Sequence, residues 1–332
     1  MRICVVGAGA IGGLIAVRLA ATGHKVSVIA RGAHLNAIQN QGLKLVEADG
    51  TVTSTRDLKS SDDFSSPGVQ DIVILAIKAH QIAAVSAELT ALWGPKTMIV
   101  PVQNGIPWWY FEHHGGPHDG HRLQSLDPTG VISSRVPTDQ IVASIAFPAA
   151  TKTAPGIITH VEGDRLPVGE LDGSRSERAF GLAEIFSGAG FKSRLLTDIR
   201  SHIWLKAWGN LAFNPISALT GATLGEICRL PETRGLAAAL MAEALEVATA
   251  LDVRVRLTIE QRIVGAESVG DHKTSMLQDA EAGRQMEIDP LVGVFVELGE
   301  LVGVPTPLIS AIYSMVLLLD SRVPTATEGA RA

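Results

Sequence analysis

Ile3-Cys4-Val5-Val6-Gly7-Ala8-Gly9-Ala10-Ile11-Gly12-Gly13 is the stretch on which the fold turns. Four apolar, largely β-prone residues form a short run of the kind that fills a buried parallel strand. Glycines follow at once. A helical pattern then runs through Leu14, Ala16, Val17 and Leu19 to Thr22-Gly23, where Gly23 supplies a helix stop. A second strand is expected over Lys25–Ile29. Residues 1–30 therefore read as a βαβ unit.

The glycines 7, 9 and 12 are spaced G-x-G-x-x-G between that strand and that helix. The first permits a tight turn, the second lets backbone approach a pyrophosphate, and the third lets helix pack on strand. Phosphates then meet the free amides at the helix start. Alone the motif is weak, and a purely structural glycine turn would also satisfy it. Set in a βαβ unit it assigns Gly7, Ala8, Gly9, Ala10, Ile11 and Gly12 to dinucleotide binding. The end of the second strand reads Val28-Ile29-Ala30-Arg31-Gly32, with no acid to hold a ribose 2′-hydroxyl. Arg31 can pair with a 2′-phosphate, which predicts NADPH rather than NADH.

Further on, Gly42–Val46 and Thr51–Thr55 flank Asp49-Gly50 as a hairpin. Asp71–Lys78 reads as a buried strand, 80–92 as a helix and Thr97–Val102 as a strand. Strands are expected at 141–147, 156–162, 166–170 and 192–196, with a helix over 176–188. Lys78 and Asn104 stand where strands end, the edge at which open α/β sheets bind ligands; either residue alone also fits a solvated loop. Beyond about 197 only helical patterns remain, at 199–219, 233–251, 257–267, 274–301 and 306–319. The expected organisation is an α/β domain over 1–197, an all-α domain over 198–322 and a disordered small-residue tail over 323–332.

Composition narrows the function. The 332 residues exceed the roughly 250–300 at which single cores stop growing. The net charge of −6 and the absence of any Lys/Arg run argue against nucleic acid and anionic membrane as partners. Two cysteines make no disulfide framework, and no segment has the apolar length of a membrane span. The apolar N-terminus loosely resembles a secretory leader, but Arg18 and the glycines interrupt it. A soluble, cytoplasmic protein is expected. His113, His114, His118 and His121 fit no tetrahedral zinc spacing, so no metal is expected.

Two polar rows mark the helical part. Lys206, Asn210 and Asn214 are spaced i, i+4, i+8 among apolar neighbours and share one helix face. The row reads equally as a stripe lining a cleft or as an exposed stripe. Ser275, Asp279, Gly283 and Glu287 continue a second row with the same step; a glycine in mid-helix would then mark a close approach. Ordinary helix surface charge is the plainer reading of Asp279 and Glu287.

Together these features closely resemble the ketopantoate reductase (2-dehydropantoate 2-reductase) family. The resemblance rests on G-A-G-A-I-G-G at 7–13, Arg31, I-K-A-H-Q at Lys78, Q-N-G at Asn104, K-x-x-x-N-x-x-x-N at 206–214, S-M-L-Q-D at 275–279 and E-I-D at 287–289. It implies a Rossmann-type domain followed by a helical domain like that of 6-phosphogluconate dehydrogenase. It further implies NADPH-dependent reduction of ketopantoate to pantoate, toward pantothenate and coenzyme A, in a cleft between the domains. Lys206 would donate the proton, and Glu287 would assist it. Lys78, Asn104 and Glu287 would lie along the cofactor, and Lys206, Asn210, Asn214 and Ser275 would hold the substrate. A homodimer is compatible with the apolar helices.

The chain departs from the family pattern in two places. Trp108-Trp109-Tyr110-Phe111 follows Asn104-Gly105, either as a wall of the substrate cleft or as a hydrophobic plug. Leu224 stands where some members carry a further Asn. Both keep open a reductase of a bulkier 2-oxo acid on the same site. A non-catalytic NADPH sensor is the alternative of another class, disfavoured because a sensor needs no proton donor.

Overall fold

The computed structural model describes residues 1–323, so the expected tail, Val323 apart, lies outside the described residues. The chain divides into two compact units. The first comprises Met1–Gln103, Trp108–Arg122 and Thr129–Ile199; the second comprises Asn104–Pro107, Leu123–Pro128 and the described chain from Arg200 on.

The first unit runs β1 (Arg2–Val6), α1 (Ala10–Ala21), β2 (Lys25–Ile29), α2 (Gly32–Gln41), β3 (Leu43–Val46), β4 (Val52–Thr55), β5 (Lys59–Ser61), β6 (Ile72–Leu75), α3 (Ala79–Leu89) and β7 (Met98–Pro101). It continues through α4 (Val131–Arg135), β8 (Ala143–Ser144), β9 (Ala149–Ala154), β10 (Ile157–Glu162), β11 (Val168–Gly169) and α5 (Glu177–Gly188). A five-stranded sheet in the order β5-β2-β1-β6-β7 is parallel throughout. A second sheet, β4-β3-β10-β9, is mixed.

Helix α1 packs on strands of both sheets, which is why its residues are buried nearly all round. Two adjacent glycines allow this. A Cβ on Gly12 would overlap the Gly7 carbonyl and lie 2.8 Å from Ala76 Cβ, while one on Gly13 would lie 2.7 Å from Ile158 Cγ1 in β10. Each contact is shorter than any methyl tolerates.

The βαβ start and the 43–55 hairpin form as the sequence predicts. The strands expected at 141–147 and 166–170 shrink to the two-residue pair β8–β11, and 192–196 makes only isolated bridges to Arg165 and Val168. Helix α2 and strands β5 and β9 are additional. α2 buries only His34, Leu35 and Ile38, so its apolar stripe is one residue wide and leaves little periodic signal.

The second unit is helical: α6 (Ile199–Thr220), α7 (Leu224–Arg229), α8 (Pro231–Ala250), α9 (Ile259–Glu267), α10 (Ser275–Glu281), α11 (Val294–Val302) and α12 (Pro307–Asp320). α6 is anchored by two buried indoles. Trp208 Nε1 donates to the Met241 carbonyl at 2.8 Å, and the Trp204 ring meets Phe295 edge-on at 5.2 Å. The single helix expected over 274–301 is broken. After α10 the chain turns at Ala282-Gly283, passes 284–287 without helix, makes a π turn at Asp289–Gly293 and resumes as α11. Gly283 has φ +59°, so it ends α10 in the left-handed region and marks no close approach, since a Cβ there would meet nothing. No described helix is long and apolar enough to cross a membrane.

One polar cluster ties α1 to the second sheet. The Arg18 guanidinium donates twice to Glu47, at 2.9 and 2.7 Å; His160 Nδ1 lies 2.8 Å from the same carboxylate, and His160 Nε2 donates to the Gly163 carbonyl at 2.6 Å. The Arg18 bonds hold the Glu47 carboxyl below its usual range. A depressed folded pKa contributes stability that is complete above the unfolded value of about 4.3 and fades as pH falls through the folded one. Melting midpoints of the wild type and Glu47→Gln should therefore differ at pH 7 and draw together as the pH falls below about 4.3. A constant gap across that range would show that the carboxylate charge is not what the cluster uses.

Candidate functional site

The glycine loop lies at the carboxyl edge of β1. Gly7 has φ +95°, and a Cβ there would lie 2.7 Å from Ile77 Cγ2 and 2.9 Å from the Ala76 carbonyl. Gly9 is the N-cap of α1 and offers no side-chain cap, the first turn carries no acid, and a Cβ on Gly9 would meet nothing within 4 Å. The first-turn amides at Ala10, Ile11 and Gly12 thus border open space with no protein acceptor supplied by a cap. A phosphate fits that arrangement.

His34, which the sequence reading passed over, fixes the loop from beneath. It is buried, its Nδ1 accepts from Gly156 N at 2.9 Å, and its Nε2 lies 2.6 Å from the Ala8 carbonyl. Nδ1 as acceptor places the proton on Nε2, which donates to Ala8. Burial pulls the imidazole pKa down, which favours this neutral form. No sequence spacing signals the role, because it depends on α2 delivering His34 under a loop 26 residues earlier.

Arg31 is the exposed N-cap of α2 at the end of β2, beside a strand terminus that carries no carboxylate. Lys78 is the N-cap of α3, its amide donating to Gln81 Oε1 at 3.3 Å. Gln103 also belongs to this edge, bonding the Leu75 and Ile77 carbonyls at 2.7 and 3.1 Å and so closing the end of β6.

In the second unit, Lys206 Nζ donates to Asn104 Oδ1 at 2.7 Å. Asn104 reaches it because Gly105, at φ +81°, packs so tightly on Pro290 that a Cβ would overlap the Pro290 carbonyl, and Ile106 N donates to that same carbonyl at 3.0 Å. Burial draws the Lys206 ammonium down to about 8, opposed by the negative charge of Glu287. Glu287 lies in the non-helical link before the π turn, not on the row through Ser275. Asp279 is engaged by Arg284 at 3.0 Å and is structural.

Asn210 is half-buried and Asn214 buried, and neither side chain hydrogen-bonds to a described residue. Neither amide is among the buried polar atoms left without a partner, so both remain open to solvent or to a ligand. Ser275 is the first residue of α10, after the N-cap Thr274, and is exposed.

The aromatic cluster is a plug. Trp108, Trp109, Tyr110 and Phe111 are at most 5% exposed. Phe111 packs edge-on against Tyr110 at 5.1 Å and is ringed by His114, His118 and His121 at 5.4–5.7 Å. Among the described residues no group of His, Cys, Asp or Glu is arranged to hold a metal ion.

Comparison with known proteins follows the same lines. The family profile Ketopantoate reductase PanE/ApbA matches residues 3–173, and Ketopantoate reductase PanE/ApbA C terminal matches residues 198–320. A 2-dehydropantoate 2-reductase from Mesorhizobium japonicum is 48% identical over 317 residues, covering 95% of this chain and 97% of its own. A solved structure from Ralstonia solanacearum MolK2, assigned as a ketopantoate reductase, is 39% identical with a TM-score of 0.91 over 96% of this chain and 97% of that one. The 2-dehydropantoate 2-reductase of Methylococcus capsulatus is 29% identical with a TM-score of 0.80, covering 98% of this chain and 99% of that one. With both halves matched in order and nearly the whole length shared, the chain belongs to the ketopantoate reductase family.

Proposed function

We propose that this protein reduces 2-dehydropantoate to pantoate with NADPH, with Lys206 as the proton donor, on the route to pantothenate and coenzyme A. The observation that carries the reading is a desolvated ammonium aimed by Asn104 and neighboured by the charge of Glu287, in a chain of this family. The bound nicotinamide supplies the hydride to the substrate carbonyl carbon. Lys206 hydrogen-bonds the carbonyl oxygen as that oxygen gains charge, and then releases its proton to it. A lysine near 8 is still charged at neutral pH yet gives up its proton more readily than one at 10.5. Glu287 keeps the ammonium charged, and Asn104 fixes its direction.

Asn210 and Asn214 offer unpartnered amides to the substrate's hydroxyl and carboxylate, with Ser275 as a third polar contact. On the cofactor side, the amides from Gly7 to Gly12 take the pyrophosphate. Arg31 takes the 2′-phosphate, and Lys78 binds the cofactor at the start of α3. Burial of the aromatic cluster removes the main reason to expect a bulkier acid. A homodimer belongs to the same reading, supported by the exposed Leu308, Met315 and Leu318 of α12.

Absorbance assays against ketopantoate, 2-oxoisovalerate, phenylpyruvate and benzoylformate should show preferred turnover of ketopantoate, and of NADPH over NADH. Preference for an aromatic acid would reassign the substrate. Only protonated Lys206 can donate, so kcat/KM for reduction should be level near neutrality and fall above about pH 8. Glu287→Gln removes the charge that raises this pKa, so the falling limb should shift to lower pH; an unmoved limb would separate Glu287 from Lys206.

Two variants divide the cofactor contacts. Arg31→Ala should raise the Kd for NADPH by about tenfold, the loss of one charge-assisted pair, and leave NADH unchanged. His34→Ala should weaken both cofactors alike, because it loosens the loop under their shared pyrophosphate. Equal effects of Arg31→Ala on the two cofactors would remove Arg31 from the 2′-phosphate.

A further inference from the structure

Arg262, on α9, is a cation without an anion. Its guanidinium packs against α6 so closely that a Cβ on Gly209 would overlap it. It lies 6.0 Å from the centroid of the Phe213 ring. No carboxylate among the described residues pairs with it. The two acids of its own helix, Glu260 and Glu267, are both taken by Arg234, at 2.5 and 3.1 Å. Asp271, the next acid along the chain, is held by Arg229 at 2.8 Å. Burial pulls the guanidinium below its usual range, opposed by the Cys228 thiol and by no carboxylate. A ring contact of this kind contributes about 0.5–1 kcal/mol when exposed, and it leaves the half-buried guanidinium's donors open to an anion.

The place of this cation on α6 gives it a purpose. At 100° per residue, Gly209 and Phe213 lie about 60° and 20° to one side of Lys206, with Asn210 and Asn214 on the other. The guanidinium therefore flanks the polar row on its Lys206 side. A glycine inside a helix costs about 1 kcal/mol relative to alanine. At 209 it leaves room for the forked donor that suits a carboxylate bidentately.

We infer that Arg262 binds the carboxylate of the 2-oxo acid from the flank of the Lys206 helix, and so selects free acids over their neutral esters. This rests on the reductase reading above. It adds a charged contact on the carboxylate to the polar contacts that Asn210, Asn214 and Ser275 offer the substrate. Gly209 is then a positioning residue that acts through Arg262.

Arg262→Met should raise KM for ketopantoate by at least about tenfold, as expected for a lost charge-assisted pair. It should leave kcat within about threefold and the NADPH Kd unchanged, since ground-state binding alone is removed. The melting midpoint of the free enzyme should not fall, because the residue removed is a half-buried cation that no carboxylate among the described residues pairs. The wild type's preference for 2-oxoisovalerate over its methyl ester should collapse in the variant, and Gly209→Ala should shift KM in the same direction. An unchanged KM would overturn the assignment, as would a KM that rises together with the NADPH Kd while the melting midpoint falls. Should the wild type reduce no 2-oxo acid, the reductase reading fails by itself. Melting in the presence of pantoate then decides: a rise for the wild type but not for Arg262→Met upholds the carboxylate site, and equal shifts, including none, overturn it.

Discussion

The proposed chemistry depends on keeping one ammonium group charged where water has been largely removed. Desolvation lowers Lys206 to about 8, and without compensation it would go lower. Two features hold it. The Asn104 carbonyl oxygen accepts one of its protons, and the charge of Glu287 opposes the loss of the rest. Both partners sit on irregular backbone, Asn104 just before the left-handed Gly105 and Glu287 in the link that interrupts the expected long helix. Pro290 binds the two segments together, since its carbonyl receives Ile106 N and abuts Gly105. The broken helix is thus what lets a carboxylate and an amide influence the same lysine.

A similar economy governs the nucleotide edge. α1 packs on two sheets through two glycines, and that close packing sets the height of the first-turn amides above β1. His34 then fixes the loop by accepting from Gly156 and donating to Ala8, a role open only to the neutral ring. The Arg18–Glu47–His160 cluster secures the far end of α1. The surface proposed to take the phosphates is therefore held by contacts of residues that lie outside the glycine motif.

Much of this was legible in the sequence where the pattern is local. The β1-α1-β2 unit combined a strand, three glycines and a helix stop within 30 residues, and the one-face spacing of Lys206, Asn210 and Asn214 survives in α6. α7 was missed although its capping box, Thr223 with Glu226, is a readable start signal. α2 was missed because its buried stripe is too thin. The row from Ser275 to Glu287 kept a helical step past the point where the backbone leaves the helix, so spacing alone misled. The Asn104–Lys206 bond spans 102 residues, and the isolation of Arg262 shows only when the partner of every neighbouring acid is known.

Lys206→Ala, assayed for ketopantoate reduction alongside NADPH binding, tests the account most directly. A missing general acid lowers turnover by about 10²–10⁴-fold. The expected result is a loss of that order in kcat with an unchanged Kd for NADPH. Turnover retained within a few fold would contradict the account, because it would leave the desolvated, Asn104-bound ammonium without a chemical role.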